Sequence, residues 1–169
     1  MKRFIVFAIL SQLLLSCGIY SFTGTSIKPD VTSISIYNIE NRAMRVNPAL
    51  SNSLTEALKE RYRRFTKLQQ AADGGDLMVE GHITSYEVTA TAITANEMAS
   101  KNRLTVTVKI IFTNNKYPEE NFDKNFVAFE EFDSLQPFDS EEGRLVDSII
   151  EKLVEDIFNG TVANWYNND

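Results

Sequence analysis

The sequence predicts an α+β fold: a two-layer sandwich in which two helices pack on one face of a roughly four-stranded mixed sheet. Two segments repeat apolar residues with the 3.6-residue period of amphipathic helices. Between them, segments alternate apolar and polar residues as half-buried strands do, with turn-forming residues separating them. The predicted order is β-α-β-β-β-α, and the first helix offers a crossover through which the first strand can pair in parallel.

The first strand is predicted over residues 31–39, where VTSISIYNI is rich in β-branched residues. Asn47 and Pro48 then form the pattern of a helix N-terminus, a capping side chain followed by proline in the first turn. We therefore expect a helix over residues 48–65. Its apolar stripe consists of Leu50, Leu54, Ala57, Leu58, Tyr62 and Phe65.

The middle of the chain is predicted to form a meander of strands. KLQQA (67–71) is predicted to be a short strand and DGGD (73–76) a turn. LMVEGHITSYEVTATAI (77–93) alternates, but its apolar phase changes near Ser85, which predicts a bulge or bend. RLTVTVKIIFT (103–113) and FDKNFVAFEEF (122–132) complete the strands.

The last helix is predicted to begin with a capping box, because Asp139 is followed three residues later by Glu142. The residues after it recur on one apolar face, which we expect to pack on the sheet. That face consists of Leu145, Val146, Ile149, Ile150, Leu153, Val154 and Ile157.

The chain begins with the pattern of a lipoprotein signal peptide. Lys2 and Arg3 precede an apolar run over residues 4–15, which is too short for a membrane span. The run ends in Leu-Leu-Ser-Cys, a lipobox in which Cys17 receives the lipid. The predicted division is a signal peptide over 1–16, a lipidated tether over 17–30 and a single domain over 31–169. An ordinary signal peptide with a chance cysteine, or a buried core cysteine, is the alternative.

The predicted lipid determines the predicted location. A diacylglycerol and an N-acyl chain such as palmitate on Cys17 would hold the protein stably, whereas one chain binds a membrane only marginally. Residue 18 is Gly rather than Asp, and no acidic run follows the cysteine. We therefore expect the periplasmic side of an outer membrane, with no disulfide because the chain has one cysteine.

Composition and motifs exclude several function classes. Without its first 16 residues the chain keeps 15 basic and 23 acidic residues, whereas nucleic-acid binders are usually basic. The one histidine, His82, stands in mid-strand without the cysteines or histidines that a zinc site needs, so no metal site is expected. No phosphate-binding loop, dinucleotide fingerprint or nucleophile elbow occurs. We expect no enzymatic activity and no cofactor.

One cluster of cations stands out in this acidic chain. KERYRRFTK contains Lys59, Arg61, Arg63, Arg64 and Lys67 near the C-terminus of the first predicted helix. One interpretation is a solvated face whose positive charge suits the helix dipole. The other is an anion-binding surface, for instance for the phosphates of a glycolipid headgroup.

Two features bear on this choice of interpretation. Arg61 falls within the apolar stripe, so its guanidinium must snorkel, pair with a carboxylate or reach a partner. Lys101 and Arg103 would extend an anion-binding surface if the fold brings them close to the helix.

Four segments resemble the Bacteroidetes branch of the LptE family of lipopolysaccharide-assembly lipoproteins. They are CGIYSFTGTSIKPDVTSISI, NPALSNSLTEALKERY, DLMVEGHITSYEVTATAITANEMASKNRLTVTVKIIFTN and LVEDIFNGTVANW. The resemblance implies two helices on a roughly four-stranded sheet. It also implies a lipoprotein that plugs and helps assemble the LptD outer-membrane β-barrel and assists lipopolysaccharide transport to the outer leaflet. Only Cys17 carries over as a family residue.

Two other functions stay open from the residues alone. The chain could be an interaction module of another envelope complex, or a stand-alone glycolipid-binding module. Phe129, Phe132, Phe138 and Trp165 are candidates for contacts with a barrel, and ordinary core packing is the alternative for each of them.

Overall fold

The structure, a computed structural model, describes residues 27–45, 47–91 and 101–163. The elements are β1 (Ser33–Ile36), β2 (Glu40–Asn41), α1 (Leu50–Phe65), β3 (Gln69–Gln70), β4 (Leu77–Ala90), β5 (Lys101–Asn114), β6 (Phe122–Asp133) and α2 (Phe138–Phe158). A 3-10 turn (Pro118–Glu120) precedes β6, and a π-helical turn (Asn159–Ala163) follows α2. No helix of these ranges is both long and apolar enough to cross a membrane.

The strands form one mixed sheet with the order β3-β1-β4-β5-β6, and β2 pairs with β4 beyond the end of β1. β1 runs parallel to β4, which confirms the predicted crossover through α1. β4, β5 and β6 form an antiparallel meander. The sheet thus has six strands rather than about four, because the predicted first strand divides into β1 and β2 and the short β3 joins the edge.

Both helices pack on one face of the sheet and on each other, as predicted for a two-layer sandwich. α1 contributes the buried Leu50, Leu54, Leu58 and Tyr62, and every predicted core residue of α2 is buried. From β5 the side chains at alternate positions enter this core. They are Leu104, Val106, Val108, Ile110 and Phe112. Neither α1 nor α2 contacts the opposite face of the sheet.

The two helices begin in different ways. The Asn47 side chain caps α1 as predicted, since its Oδ1 accepts from the backbone N–H groups of Ala49 (3.0 Å) and Leu50 (3.1 Å). The predicted capping box of α2 is wrong: the helix begins at Phe138 and has no side-chain cap. Glu142 accepts instead from the Tyr86 hydroxyl (2.5 Å) and from Asn47 Nδ2 (3.1 Å), so its carboxylate links the sheet to both helix starts.

The turn before β4 and the bend within it follow the sequence predictions. Gly74 has a positive φ of 68°, which suits the DGGD turn. Gly75 lies flat against β1, where a Cβ would come within 2.7 Å of the Ser35 nitrogen. The β4–β5 register shifts between Ile83 and Ser85, which confirms the predicted bulge and lets both Ile83 and Tyr86 enter the core.

The molecule has two distinct ends. The proximal end contains the first described residues, the C-terminal ends of both helices, Leu77, Asn114 and Phe122. The distal end contains Ala90, Lys101 and Asp133, where the β4–β5 hairpin and β6 finish. A fourteen-residue strand such as β5 extends about 45 Å between them.

Candidate functional site

The candidate site is the solvent-facing side of α1 near its C-terminus. Three of its five cations form ion pairs along the helix. Lys59 pairs with Glu56 at 2.8 Å, and Arg63 and Arg64 both pair with Glu60. Surface pairs of this kind are each worth about 0.3–0.5 kcal/mol, so an incoming anion displaces them easily. With five cations and two carboxylates, the surface keeps a net positive charge.

Arg61 is held on aromatic rings, which resolves the alternatives that its position in the stripe left open. Its guanidinium carbon lies 4.3 Å from the centre of the Phe65 ring and 5.1 Å from that of Phe158. Its Nε is buried without a hydrogen-bond partner, and none of the described carboxylates pairs with it. Arg61 therefore brings a planar cation, stacked on an apolar floor, to the surface of α1.

Phe158, the inner ring of the floor beneath Arg61, is part of the core, whereas Phe65 is exposed. Tyr62 is fully buried, and its ring packs edge-on against Phe158 at 5.1 Å. Its hydroxyl shares a hydrogen bond with Thr161 Oγ1, and burial raises the pKa of the Tyr62 hydroxyl above its usual range. The C-terminal ends of the two helices are thus joined under the cationic surface.

Lys67 follows α1 and lines a cavity at the proximal end. The cavity has a volume of about 360 Å³, and its walls are formed by the first described residues and by the chain after α1. Its apolar lining includes Ile27, Val31 and Leu68, and its cations are Lys28 and Lys67. The cationic surface therefore continues to the point where the described chain begins.

A clamp holds the first described residues at this end. Lys28 pairs with Glu120 at 2.9 Å, and its Nζ lies 3.3 Å from the centre of the Tyr117 ring. The Tyr117 hydroxyl donates to both carboxylate oxygens of Asp30, at 3.0 and 2.9 Å. These contacts hold the residues before β1 against the segment that connects β5 and β6.

Asp76 extends the clamp to β1. One of its carboxylate oxygens accepts from the Thr32 N–H (2.7 Å), the Thr32 hydroxyl (3.0 Å) and the Ser33 N–H (3.1 Å). These donors lower the pKa of the Asp76 carboxyl to about 2. Lys116 lies 3.4 Å from the other oxygen, so the carboxylate joins β1, β4 and the turn after β5.

Lys101 and Arg103 do not join the cations of α1. They begin β5 at the distal end, whereas α1 ends beside β3 at the proximal end. Both cations pair with Glu131 on β6, at 3.7 and 2.6 Å. The fold therefore does not bring Lys101 and Arg103 close to α1, which was the condition for one continuous surface, because the length of the strands separates the two groups of cations.

Other predicted residues divide between core, surface and undescribed chain. Phe132 is buried and Phe138 is half-buried against it, whereas Phe129 is 46% exposed. Cys17 and Trp165 lie outside the described residues. His82 stands on β4 between Glu40 of β2 and Lys109 of β5. Within the described ranges no three His, Cys, Asp or Glu side chains are grouped to hold a metal ion.

Sequence reasoning missed the clamp and the aromatic floor. Lys28 and Tyr117 are far apart in the chain, and nothing local to either residue indicates the contact. The position of Arg61 in the apolar stripe was the one signal of the floor, since a cation there has to rest on apolar groups.

Comparison with known proteins places this chain beside one family. The family model described as "LptE: Lipopolysaccharide-assembly" matches residues 31–160. No curated protein sequence matches the chain.

Solved structures of bacterial proteins are also similar. A minor lipoprotein from Acinetobacter baumannii has 15% identity and a TM-score of 0.49, over 75% of this chain and 89% of that one. Protein CT253 from Chlamydia trachomatis has 9% identity and a TM-score of 0.49, over 79% of this chain and 99% of that one. Uncharacterized lipoprotein B from Nitrosomonas europaea has 10% identity and a TM-score of 0.49, over 78% of this chain and 85% of that one. With TM-scores below 0.5, these likenesses support no conclusion about function.

Proposed function

This chain belongs to the LptE family of lipopolysaccharide-assembly proteins, and we propose from that membership that it is a non-enzymatic outer-membrane lipoprotein. It plugs and helps assemble the LptD β-barrel and so assists lipopolysaccharide transport to the outer leaflet. The observation that carries the proposal is the family match over residues 31–160, which spans both helices and all six strands.

The proposed anchor is lipid on Cys17, a diacylglycerol and an N-acyl chain, at the periplasmic side of the outer membrane. Ten residues run from Cys17 to Ser26, and a chain of that length reaches at most about 35 Å. The clamp of Lys28 and Asp30 defines where this segment meets the body. An anchor there would bring the proximal end, with the cations of α1, closest to the membrane surface.

We assign the α1 surface to the phosphates of lipopolysaccharide. Arg61 offers a planar guanidinium whose geometry matches phosphate, and Arg63 and Arg64 share one carboxylate and can exchange it for a stronger anion. The cavity beside Lys67, about 360 Å³, lies at the small end of the range for ligand pockets, which favours headgroup contact over enclosure of several acyl chains.

The body itself is suited to filling a barrel rather than to chemistry. β4, β5 and β6 are hydrogen-bonded over nearly their whole length, and a two-helix layer stiffens one side. On the face opposite α1 and α2, Phe129 is the exposed one of the described aromatic residues considered for barrel contacts, since Phe132 is buried and Phe138 is half-buried. A polar-lined barrel interior is compatible with the mixed charged and threonine-rich surface of that face.

Co-purification from native membranes tests the central proposal. Tagged protein extracted in mild detergent should bring the LptD barrel with it in a near-stoichiometric amount, because a plug forms a long-lived complex. Cys17→Ala serves as the control for anchoring: its precursor should incorporate no palmitate. Persistent absence of the barrel, or purification with a different envelope complex in its place, would refute the proposal.

Lipopolysaccharide binding by the purified, barrel-free protein tests the α1 surface. Lys59→Glu/Arg63→Glu/Arg64→Glu should weaken binding by about a hundredfold or more, since each charge contributes about 1 kcal/mol near an anionic surface. The matched control, Arg42→Glu/Lys109→Glu/Arg144→Glu, makes the same charge change at paired cations elsewhere and should bind almost normally. Equal losses in both triple variants would mean that net charge, not this surface, governs binding.

A further inference from the structure

Strand β6 has a free edge within the described part of the chain. β5 pairs with one side of its twelve residues, and no described strand pairs with the other side. Among the described residues, its other backbone–backbone hydrogen bond joins Gln136 N–H to the Asp133 carbonyl at the strand end. A long edge presents unpaired N–H and C=O groups, which form a template for another strand.

The side chains on this edge strand are unusual for a surface. Val127 is 53% exposed and Phe129 is 46% exposed, and as residues two apart they point to the same face of the sheet, the one opposite α1 and α2. Ile111 on β5, 37% exposed, shares that face. Edge strands are normally kept soluble by charges at such positions, so two apolar side chains indicate a surface that is covered in a complex.

A groove runs between this edge and α2. Its volume is about 190 Å³, and its lining combines Val127, Ala128 and Phe129 of β6 with Lys152, Glu155 and Asp156 of α2. Both of these acidic side chains are exposed and neither has an ion-pair partner among the described residues. A segment lying in the groove would thus meet a hydrogen-bonding edge on one side and carboxylates on the other.

Lys152 occupies one acceptor of the edge. Its Nζ donates to the Phe129 carbonyl at 3.1 Å and pairs with Glu130 at 2.6 Å. The side chain is half exposed, so an incoming backbone N–H can replace it at the carbonyl while the ion pair with Glu130 persists. Lys152 therefore occupies one acceptor of the edge but does not prevent another strand from pairing with it.

We propose that the outer edge of β6 accepts an extended, basic segment of a partner polypeptide as an additional strand of the sheet. Its backbone bonds to β6, its apolar side chains cover Val127 and Phe129, and its cations face Glu155 and Asp156. This docking site goes beyond the proposed function, because it is a strand-pairing edge in which neither the α1 surface nor the lipid anchor takes part, and it shares only Phe129 with the residues considered for barrel contacts.

The charges of the groove argue against a second copy of this chain as the occupant. Asp123, Glu130 and Glu131 of β6 already have cation partners, whereas Glu155 and Asp156 of the groove have none among the described residues. In a β6–β6 pair, two such grooves would lie at one interface, and the juxtaposition of like charges is destabilising. A basic segment can form the same backbone hydrogen bonds with β6, and its cations are attracted by Glu155 and Asp156.

Two synthetic probes test the site on the purified mature chain. Both are nine-residue peptides of alternating Val and Thr, one with two Lys and one with two Glu in place of two Thr. Hydrogen exchange of the β6 amides and fluorescence anisotropy report binding. We expect the basic peptide to slow exchange along β6 and to bind at least tenfold more tightly than the acidic peptide.

Variants distinguish specific binding at the β6 edge from nonspecific binding of the peptide. Val127→Lys should weaken binding of the basic peptide at least tenfold, whereas the matched control Met44→Lys, an exposed apolar residue near the distal end, should not change it. Lys152→Ala should strengthen binding severalfold, because it frees the carbonyl and removes a like charge. Thermal unfolding of each variant checks that the fold persists.

Several results would overturn the proposal. They are unprotected β6 amides at saturating basic peptide, equal affinity for both peptides, and equal losses in Val127→Lys and Met44→Lys. Dimerisation of the free chain through β6, seen as concentration-dependent protection of the same amides, would make a second copy the occupant and also refute it. None of these results depends on lipopolysaccharide or the barrel, so they leave the proposed function to its own tests.

Discussion

Arg61 on α1 and Arg103 on β5 both stack on a phenylalanine ring, but only Arg103 is paired with a carboxylate among the described residues. In each residue Nε is buried without a hydrogen-bond partner, and the guanidinium carbon lies just over 4 Å from a phenylalanine ring, 4.3 Å from Phe65 and 4.2 Å from Phe129. Arg103 also pairs with Glu131 at 2.6 Å, whereas Arg61 has no carboxylate partner among the described residues. A stacked cation that is already neutralised supports the fold, and one that is not remains available to a ligand.

The rings under the two cations differ in one respect. Phe65 beneath Arg61 and Phe129 beneath Arg103 are similarly exposed, at 45% and 46%, but Arg61 also lies over Phe158, which is 5% exposed and belongs to the core. The proximal end thus presents its cation on one exposed ring and one buried ring. At the distal end the ring and its cation both lie on the surface of the sheet.

The largest expected difference between the two regions is therefore in stability. Phe158→Ala should lower the free energy of unfolding by about 3–5 kcal/mol, because it leaves a cavity between the helix ends. Phe129→Ala should lower it by about 1 kcal/mol or less, since half of its ring is already in water. Urea denaturation of both variants measures this difference, and comparable losses in the free energy of unfolding would show that Phe158 and Phe129 contribute equally to stability.

A smaller difference is expected in ligand binding. Arg61→Met keeps an apolar stem on Phe65 and Phe158 but removes the unpaired charge. The affinity for lipopolysaccharide should therefore fall several-fold, while the free energy of unfolding stays within about 1 kcal/mol of the wild-type value. Arg103→Met should leave the affinity unchanged, because its charge is already balanced by Glu131. Titration of both variants with lipopolysaccharide checks this, and a greater loss in Arg103→Met would reverse the assignment.

The smallest effect is expected in acid stability. The pKa of Asp76 is lowered to about 2 from 3.8, so the stabilisation from its ionised form is complete above pH 3.8 and is lost as pH falls towards 2. Arg103 lowers the pKa of Glu131 from 4.5 in the same direction, and that contribution also declines with acid.

Asp76→Asn should therefore flatten the pH dependence of unfolding between about pH 4 and pH 2. Glu131→Gln should change it less, because that carboxylate lies at the surface, where solvent screens the pair. Denaturation at a series of pH values measures both slopes, and a steeper change for Glu131→Gln would contradict the order given.

Much of the fold could be predicted because periodicity is a local property. Both helices, the meander and the bulge near Ser85 follow from neighbouring residues and were predicted within a few positions. The capping box was predicted wrongly, because the carboxylate of Glu142 is used by Tyr86, a residue that its own segment does not reveal. The short strand predicted at KLQQA is confirmed as β3, whereas the predicted number of strands in the sheet was too low because the first predicted strand divides into β1 and β2.

The candidate site was predictable only in part. The cations of α1 share one segment, so their grouping is a consequence of helical geometry. Lys101 and Arg103 are in another element, and their distance from α1 depends on the direction and length of β5. The clamp around Lys28 and the groove beside β6 join distant segments, and no local pattern indicates either of them.

By itself, the sequence determined the family, the secondary structure, the apolar faces of the helices and the cationic character of α1, because each depends on residues that are neighbours in the chain or in a helix turn. The tertiary structure alone decided which cations are neutralised, which aromatic rings are buried and which strand edge stays open. Those properties depend on pairings between distant segments. Arg61 and Arg103 illustrate this, since only their surroundings in the folded chain distinguish them.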